Sequence, residues 1–319
     1  MTRSVLLVGL GQIGMGYDLA PEASDQILTH ARAIELHPAF SLAAAVDPEG
    51  ARREQFEGRY GRAAYADLVS ALREHRPEVV VIAGPTPQHA EILAEVLRSS
   101  SPTAILCEKP LAYDLHEARS MVAAATAGKV PLYANYMRRS DPGAFEVKRR
   151  IAEGEIAGPI KGVAWYSKGF LHSGSHLFNL LEYWLGPFVD GAQVAKGRIW
   201  NGVDPEPDVA VNFTRGTVVF LAARDEDYSH FSLELVAANG RLRCEARGQR
   251  VEWQPVAAGR HSKHVLSATP ELIASGMDRY QWHVMDQLAR SLDGHVAEIC
   301  TGEQALATLE SMHRLLETR

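Results

Sequence analysis

Four short stretches bring together residue types that can do chemistry. In "VGLGQIG", Gly9, Gly11 and Gly14 have the G-x-G-x-x-G spacing, with Gln12 and Ile13 inside it, directly after the apolar run "SVLLVGL". In that pattern the first glycine permits a tight turn, the second lets backbone approach a pyrophosphate, and the third allows close helix-to-strand contact. The partner that gives the pattern meaning is an acid at the end of the second strand, and Asp47 closes "FSLAAAVD" there, placed to accept hydrogen bonds from ribose hydroxyls. The competing reading is an ordinary tight turn with a surface aspartate. In "TAILCEKP", Lys109 follows a strand-like run. Its ammonium can donate to a substrate oxygen, offset the alkoxide character that develops as hydride leaves the neighbouring carbon, and lower the pKa of a nearby acid or base. Taken alone, it reads as a surface lysine before a turn. In "GSH", His176 begins a helix-like segment, where an imidazole titrating near neutrality can take or return a proton, or simply cap and pack. His172 lies four residues before it, a spacing that suits zinc, but no third ligand stands nearby and no metal is expected.

These residues need elements to hold them. The runs "SVLLVGL", "FSLAAAVD", "EVVVIAG", "TAILCEK" and "VPLYANY" alternate with helical stretches at 51–60, 66–75, 87–99 and 114–127. Continuous apolar runs suit strands covered on both faces, so residues 1–135 read as a doubly wound α/β domain of the Rossmann type, with a parallel sheet. Ligands bind such sheets beyond the carboxyl ends of the strands, where Lys109 stands.

Asp47 lies farther from Gly14 than the roughly 20 residues the fingerprint leads one to expect. An insertion accounts for the excess: "MGYDLAPEASDQILT", residues 15–29, has little periodicity, and the helix resumes near His30. A loop leaving that strand end is placed to act as a lid or substrate contact.

Residues 136–319 read as an α+β domain with a large, mostly antiparallel, open-faced sheet. Its helices are expected at about 143–153, at "SHLFNLLEYWLG" (amphipathic), at 278–292 and at 302–317. Its strands are expected in "IKGVAWYSK", "GAQVAKGRIW", "DVAVNFTRGTVVFLAAR", "HFSLELVAANGRLRCEA" and "RVEWQPVA", with a turn at "ANGR".

The net charge of -6 and the lack of a Lys/Arg run leave no electrostatic footprint for nucleic acid. No run approaches a membrane span and no secretory signal opens the chain, which predicts a cytoplasmic protein without membrane contact. Cys107, Cys244 and Cys300 are widely spaced and odd in number, so neither a disulfide framework nor a CxxC metal site is suggested.

Taken together, "VGLGQIG", "AVD", "GPTPQHAEI", "CEKPLA", "YMRRSDPG", "GSHLFNLLEYWLG" and "TGEQALATLE" resemble the Gfo/Idh/MocA group of nicotinamide-dependent oxidoreductases over nearly the whole chain. The resemblance implies hydride transfer between nicotinamide and a carbinol or keto carbon of a sugar, cyclitol or nucleotide-linked sugar. Lys109 would stabilise the substrate oxygen and His176 relay the proton. It implies NAD as cofactor, with NADP possible because Arg52 and Arg53 follow Asp47, and a homodimer or homotetramer formed through the second sheet. Gly84, Thr86, Pro87 and His89 match the loop that lies along the cofactor. Glu108 and Lys109 match contacts on its nicotinamide side, and Tyr136 and Arg138 match substrate contacts, with structural roles equally open. Where dehydrogenases of this group commonly carry aspartates, this chain has His172 and Asn179, here read as substrate contacts; two histidines beside a lysine favour an anionic polyhydroxylated substrate. A redox-neutral NAD-dependent glycosidase and a non-catalytic nicotinamide-binding sensor are the rival readings.

Overall fold

Six short strands make the first sheet: β1 Arg3–Val8, β2 Phe40–Val46, β3 Ala64–Tyr65, β4 Val79–Ile82, β5 Ala104–Cys107 and β6 Leu132–Ala134. The computed structural model describes residues 2–19, 25–258 and 264–318. The six strands are all parallel, in the order β3-β2-β1-β4-β5-β6, the doubly wound order whose reversal beside β1 creates a ligand crevice. Both β4 and β5 are buried at every residue, which explains why they read as unbroken apolar runs. β3, only two residues long, escaped the sequence pattern.

The connecting helices are α1 His30–Leu36, α2 Gly50–Tyr60, α3 Leu68–His75, α4 His89–Ser99 and α5 Leu115–Ala127. Their starts follow from capping chemistry: Thr29, Asp67 and Asp114 each accept a bond from the backbone amide three residues on.

The second sheet comprises β7 Ile160–Tyr166, β8 Phe188–Trp200, β9 Asp204–Phe213, β10 Gly216–Ala222, β11 Phe231–Ala237, β12 Gly240–Glu245, β13 Arg250–Ala257, β14 Val265–Leu266 and β15 Glu271–Ile273. Its order is β14-β13-β12-β11-β7-β10-β9-β8, with β15 also on β13. The pairs are antiparallel apart from β7 with β10. β9 begins four residues before the expected "DVAVNF" segment, although Pro205 and Pro207 lie in that extension. The extension is tolerated because β10 pairs only with Val209–Phe213, so the two prolines have a partner strand on one side alone.

Two helices accompany this sheet, α6 Pro142–Ala152 and α7 Ser175–Leu185. The sequence pattern of α7 suggested an amphipathic helix, but every residue except Glu182 is buried. Phe178 meets the rings of Phe170, Phe188, Phe213 and Phe220, so the helix is covered all round.

The chain ends with α8 Tyr280–Leu292 and α9 Gly302–Glu317. It divides into Met1–Ser140 with Asp278–Ala307, and Asp141–Met277 with Thr308–Arg319, rather than by one cut after residue 135. The physical reason is apolar burial. Val284, Met285 and Leu288 of α8 share one buried cluster with Ala31, Ile34, Phe40 and Leu42, so leaving α8 outside the first unit would expose that surface. Among the described residues no helix is long and apolar enough to cross a membrane.

Candidate functional site

The glycine turn is built as a cradle. Gly9 has φ +105°, and a Cβ there would run into the backbone of Ala83 and Gly84; a Cβ on Gly14 would run into the Gly9 carbonyl. Gly11 is different: a Cβ there would meet nothing within 4 Å. Two glycines are therefore required by the protein's own packing, while the third leaves open space beside the backbone, as close approach of a pyrophosphate demands.

Beyond Gly11 the chain does not become an irregular loop at once. Met15 and Gly16 donate to the Gly11 carbonyl and Tyr17 to that of Gln12, a helical turn whose leading amides, including those of Gln12 and Ile13, are the ones that helix geometry leaves without partners. The 15–29 insertion is tied down at its base. The buried Asp18 carboxylate accepts bonds from the amides of Leu28 and Thr29 and from the Thr29 hydroxyl at 2.6 Å. Helix α1 then docks its first amides, His30 and Ala31, onto the carbonyls of Ile13 and Gly14. Residues 20–24, the middle of the expected lid, lie outside the described residues.

Asp47 is buried beside the turn. One oxygen accepts the Leu10 amide at 2.8 Å and the other the Glu49 amide at 2.9 Å. The Arg52 guanidinium lies 3.6 Å from the carboxylate, while Arg53 donates to the Asp47 and Pro48 carbonyls instead. Thr86 and Pro87 form a short 3-10 turn after Gly84, with Pro87 exposed. His89, expected along the cofactor, is fully buried: Nδ1 lies 3.1 and 3.2 Å from the carbonyl oxygens of Pro110 and Leu111, and Nε2 lies 3.0 Å from that of Gly84.

Glu108 sits at the end of β5 in a buried polar cluster. Its Oε1 is 2.7 Å from His30 Nε2 and accepts from Asn135 Nδ2 at 2.6 Å; its Oε2 accepts the Lys109 amide at 3.3 Å. Gln281, on α8, accepts from Asn135 at 3.2 Å. Burial alone would raise the Glu108 pKa, but the bond and charge of His30, the bond from Asn135 and the charge of Lys109 together hold it below the ordinary carboxylate value. The carboxylate expected against nicotinamide is thus engaged with the protein's own groups, and through them it fixes the backbone that carries Lys109. Lys109 itself is half-buried, and Tyr136 and Arg138 are buried.

In the second unit, His172 lies in a π-helical turn, Gly169–Gly174, immediately before α7. Its ring stacks on Trp200 with centroids 5.3 Å apart. The buried Asp204 carboxylate shapes that turn, accepting the amides of Leu171 at 3.0 Å and His172 at 2.7 Å, while Glu206 accepts that of Gly169 at 3.0 Å. Gly169, at φ +80°, is needed because a Cβ would strike Asp204. His176 is buried in the first turn of α7, edge-on to Phe231. Asn179, expected to touch substrate, donates to Thr308 at 3.0 Å, which in turn donates to Glu182 at 2.5 Å. Among the described residues no three His, Cys, Asp or Glu side chains gather as a metal site.

Sequence reasoning missed His30 and Asn135, which meet at the Glu108 carboxylate, and Gln281, which bonds both of them. It also missed Asp204 and Glu206, although alternate acids in "DPEPD" were a legible sign of one strand face carrying charge. Burial pushes the Asp204 carboxyl up to about 6, against the opposing effect of the turn amides. An acid raised in the folded state contributes stability that is complete below its unfolded value near 4 and lost as pH rises through about 6. Asp204→Asn should therefore gain on the wild type between pH 4 and pH 7, by about 2 to 3 kcal/mol. Melting temperatures of both proteins across that range are the check.

Residues 3–136 match a family model, GFO_IDH_MocA, described as an oxidoreductase family with NAD-binding Rossmann fold. The chain is 33% identical to an inositol 2-dehydrogenase of Rubrobacter xylanophilus over 138 residues, 43% of this chain and 39% of that one. It is 24% identical to an inositol 2-dehydrogenase of Rhizobium meliloti over 269 residues, 79% of this chain and 71% of the relative. The matched segment thus spans well under half of the first enzyme and about seven-tenths of the second. A solved structure of the WlbA dehydrogenase from Bordetella pertussis, in complex with NADH and UDP-GlcNAcA, shares the fold at a TM-score of 0.75 and 17% identity, covering 98% of this chain and 94% of that one. With the parallel sheet, its strand order and the open approach at Gly11 in place, residues 3–136 are similar, in sequence and in fold, to the NAD-binding Rossmann domain that the Gfo/Idh/MocA oxidoreductase family model describes.

Proposed function

We propose that the chain is a dehydrogenase or ketoreductase that moves hydride between a nicotinamide cofactor and a carbinol or keto carbon of a sugar, cyclitol or nucleotide-linked sugar. The observation that carries this reading is Lys109, positioned by Glu108 at the carboxyl end of β5, in a domain whose glycine turn leaves room for a dinucleotide. The dinucleotide, when bound, supplies the hydride donor or acceptor. Gly9, Gly11, Gln12, Ile13 and Gly14 would hold its phosphates, Asp47 its adenosine ribose, and Gly84, Thr86 and Pro87 would border it. Lys109 donates to the substrate oxygen and His176 takes or returns its proton. His172, with its ring fixed against Trp200, orients the substrate, and its proximity in sequence to His176 favours a substrate with an anionic group. The relatives named for inositol and the neighbour holding a nucleotide-sugar acid support this substrate range. Val189, Val194 and Ile199, exposed along β8, support association into a homodimer or homotetramer.

The test is NADH absorbance in both directions with myo-inositol, scyllo-inositol, inosose and a panel of UDP-linked sugar acids. Turnover of one of them, strongly reduced in His176→Ala and less so in His172→Ala, is the expected result. NADH binding without turnover of any of them overturns the reading in favour of a sensor. Conversion of a glycoside without net NADH change overturns it in favour of a redox-neutral glycosidase.

NADH should bind about tenfold or more tightly than NADPH, because a 2′-phosphate would meet the Asp47 carboxylate where a ribose hydroxyl is otherwise held. Arg52, already beside that carboxylate, limits the preference. Fluorescence titration with both reduced cofactors measures the ratio, and tighter NADPH binding would reverse the assignment.

A further inference from the structure

The turn that carries Lys109 is gripped from two sides. On one side Glu108 holds the Lys109 amide. On the other stands His89, the first residue of α4 and fully buried. Two ring nitrogens face three backbone carbonyls: Pro110 and Leu111 at Nδ1, Gly84 at Nε2. Their arrangement decides where the proton sits. A neutral ring with its hydrogen on Nε2 would turn the Nδ1 lone pair toward two carbonyl oxygens, whereas a hydrogen on Nδ1 serves both of them and leaves one lone pair facing one oxygen. An imidazolium serves all three. In each favourable form Nδ1 is the donor, so the side of the ring that always grips is the side on the Lys109 turn.

We infer that His89 is a positioning residue: it pins the carbonyls that immediately follow Lys109 and thereby fixes where the lysine ammonium delivers its hydrogen bond. The inference rests on the proposed role of Lys109. A positioned donor loses much of its effect when displaced by an ångström, and no backbone ladder bond is needed to explain why a histidine rather than an apolar residue stands at this buried point. The residue therefore has a role separate from lining the cofactor, and separate from starting α4, which any helix former at that position would do.

The experiment compares His89→Asn, His89→Gln and His89→Leu with the wild type and with Lys109→Ala. An asparagine places its amide nitrogen near the Nδ1 position, and a glutamine places its own near the Nε2 position. Two readouts are taken: amide hydrogen exchange of residues 107–113 by mass spectrometry, which needs no substrate, and kcat and KM with whichever panel polyol the wild type oxidises. In His89→Leu, exchange in 107–113 should rise at least tenfold and kcat fall about tenfold or more, with NADH affinity changed less than about threefold. His89→Asn should restore both; His89→Gln should not. If His89→Gln restores them and His89→Asn does not, the histidine serves the Gly84 turn and the inference is overturned. It is likewise overturned if a folded His89→Leu matches the wild type in exchange and kcat, and should the leucine variant fail to fold, the asparagine and glutamine pair decides alone. If instead Lys109→Ala keeps its kcat while His89→Leu still loosens the turn, it is the catalytic role of Lys109 that fails, and with it the consequence drawn for His89, while the clasp itself stands.

Discussion

Lys109→Ala should lower kcat by about a hundredfold or more while leaving NADH affinity within about twofold of the wild type. The argument runs from place to charge. Lys109 stands at the carboxyl end of β5, its amide held by the Glu108 carboxylate and the carbonyls after it by His89. A donor fixed in this way acts on charge that develops only as hydride leaves or arrives, so its loss weakens the transition state more than the ground state. Arginine should rescue little, because its planar fork cannot present a point donor at the same atom. Steady-state kinetics with the substrate found for the wild type, beside NADH fluorescence titration, separates rate from binding; an unchanged kcat would return Lys109 to a surface role.

His30→Leu should destabilise the protein by about 3 to 5 kcal/mol, because it leaves the buried Glu108 carboxylate without the imidazole 2.7 Å away. For a unit of this size that is a fall in melting temperature of roughly 10 °C. The pH dependence is fixed in sign. Glu108 is held below the ordinary carboxylate value in the folded protein, so its contribution is present above its unfolded pKa and disappears as pH falls through the lower folded one. The gap between His30→Leu and wild type should therefore be full at pH 7 and close as the solution is acidified below about 4. Adding Glu108→Gln to His30→Leu should recover part of the loss, since a neutral amide is less costly to bury than a carboxylate. Thermal melts from pH 3 to pH 7 measure all three proteins, and a gap that stays constant with pH would mean that the pair is not the source of the loss.

Much of this was legible in the chain itself. Period and composition determined β1, β2, β4, β5 and β6 of the first sheet, though not the two-residue β3, because a strand buried on both faces must be apolar at every position, as β4 and β5 are. The glycine spacing determined the turn, and Asp47 its partner, because both are local consequences of one β-α-β unit. The helices expected from near His30, from 66 and from 114 begin at His30, Leu68 and Leu115, each start resting on one side chain and an amide three residues away. "EKP" and "GSH" singled out Lys109 and His176 through the family resemblance.

What tertiary structure alone decided were the partners of buried polar groups. His30, Glu108, Asn135 and Gln281 come from four separate stretches of chain and meet because β5, β6, α1 and α8 converge. No pattern within any one stretch records that meeting. His89, Asn179 and Asp204 are of the same kind: the first two look like ligand contacts in the sequence and the third carries no reading there, yet each bonds groups in the protein distant along the chain. The physical reason is that a buried donor or acceptor must be satisfied, and satisfaction is a property of neighbours in space. Apolar periodicity writes the fold into local sequence; polar pairing is settled only once the elements have packed.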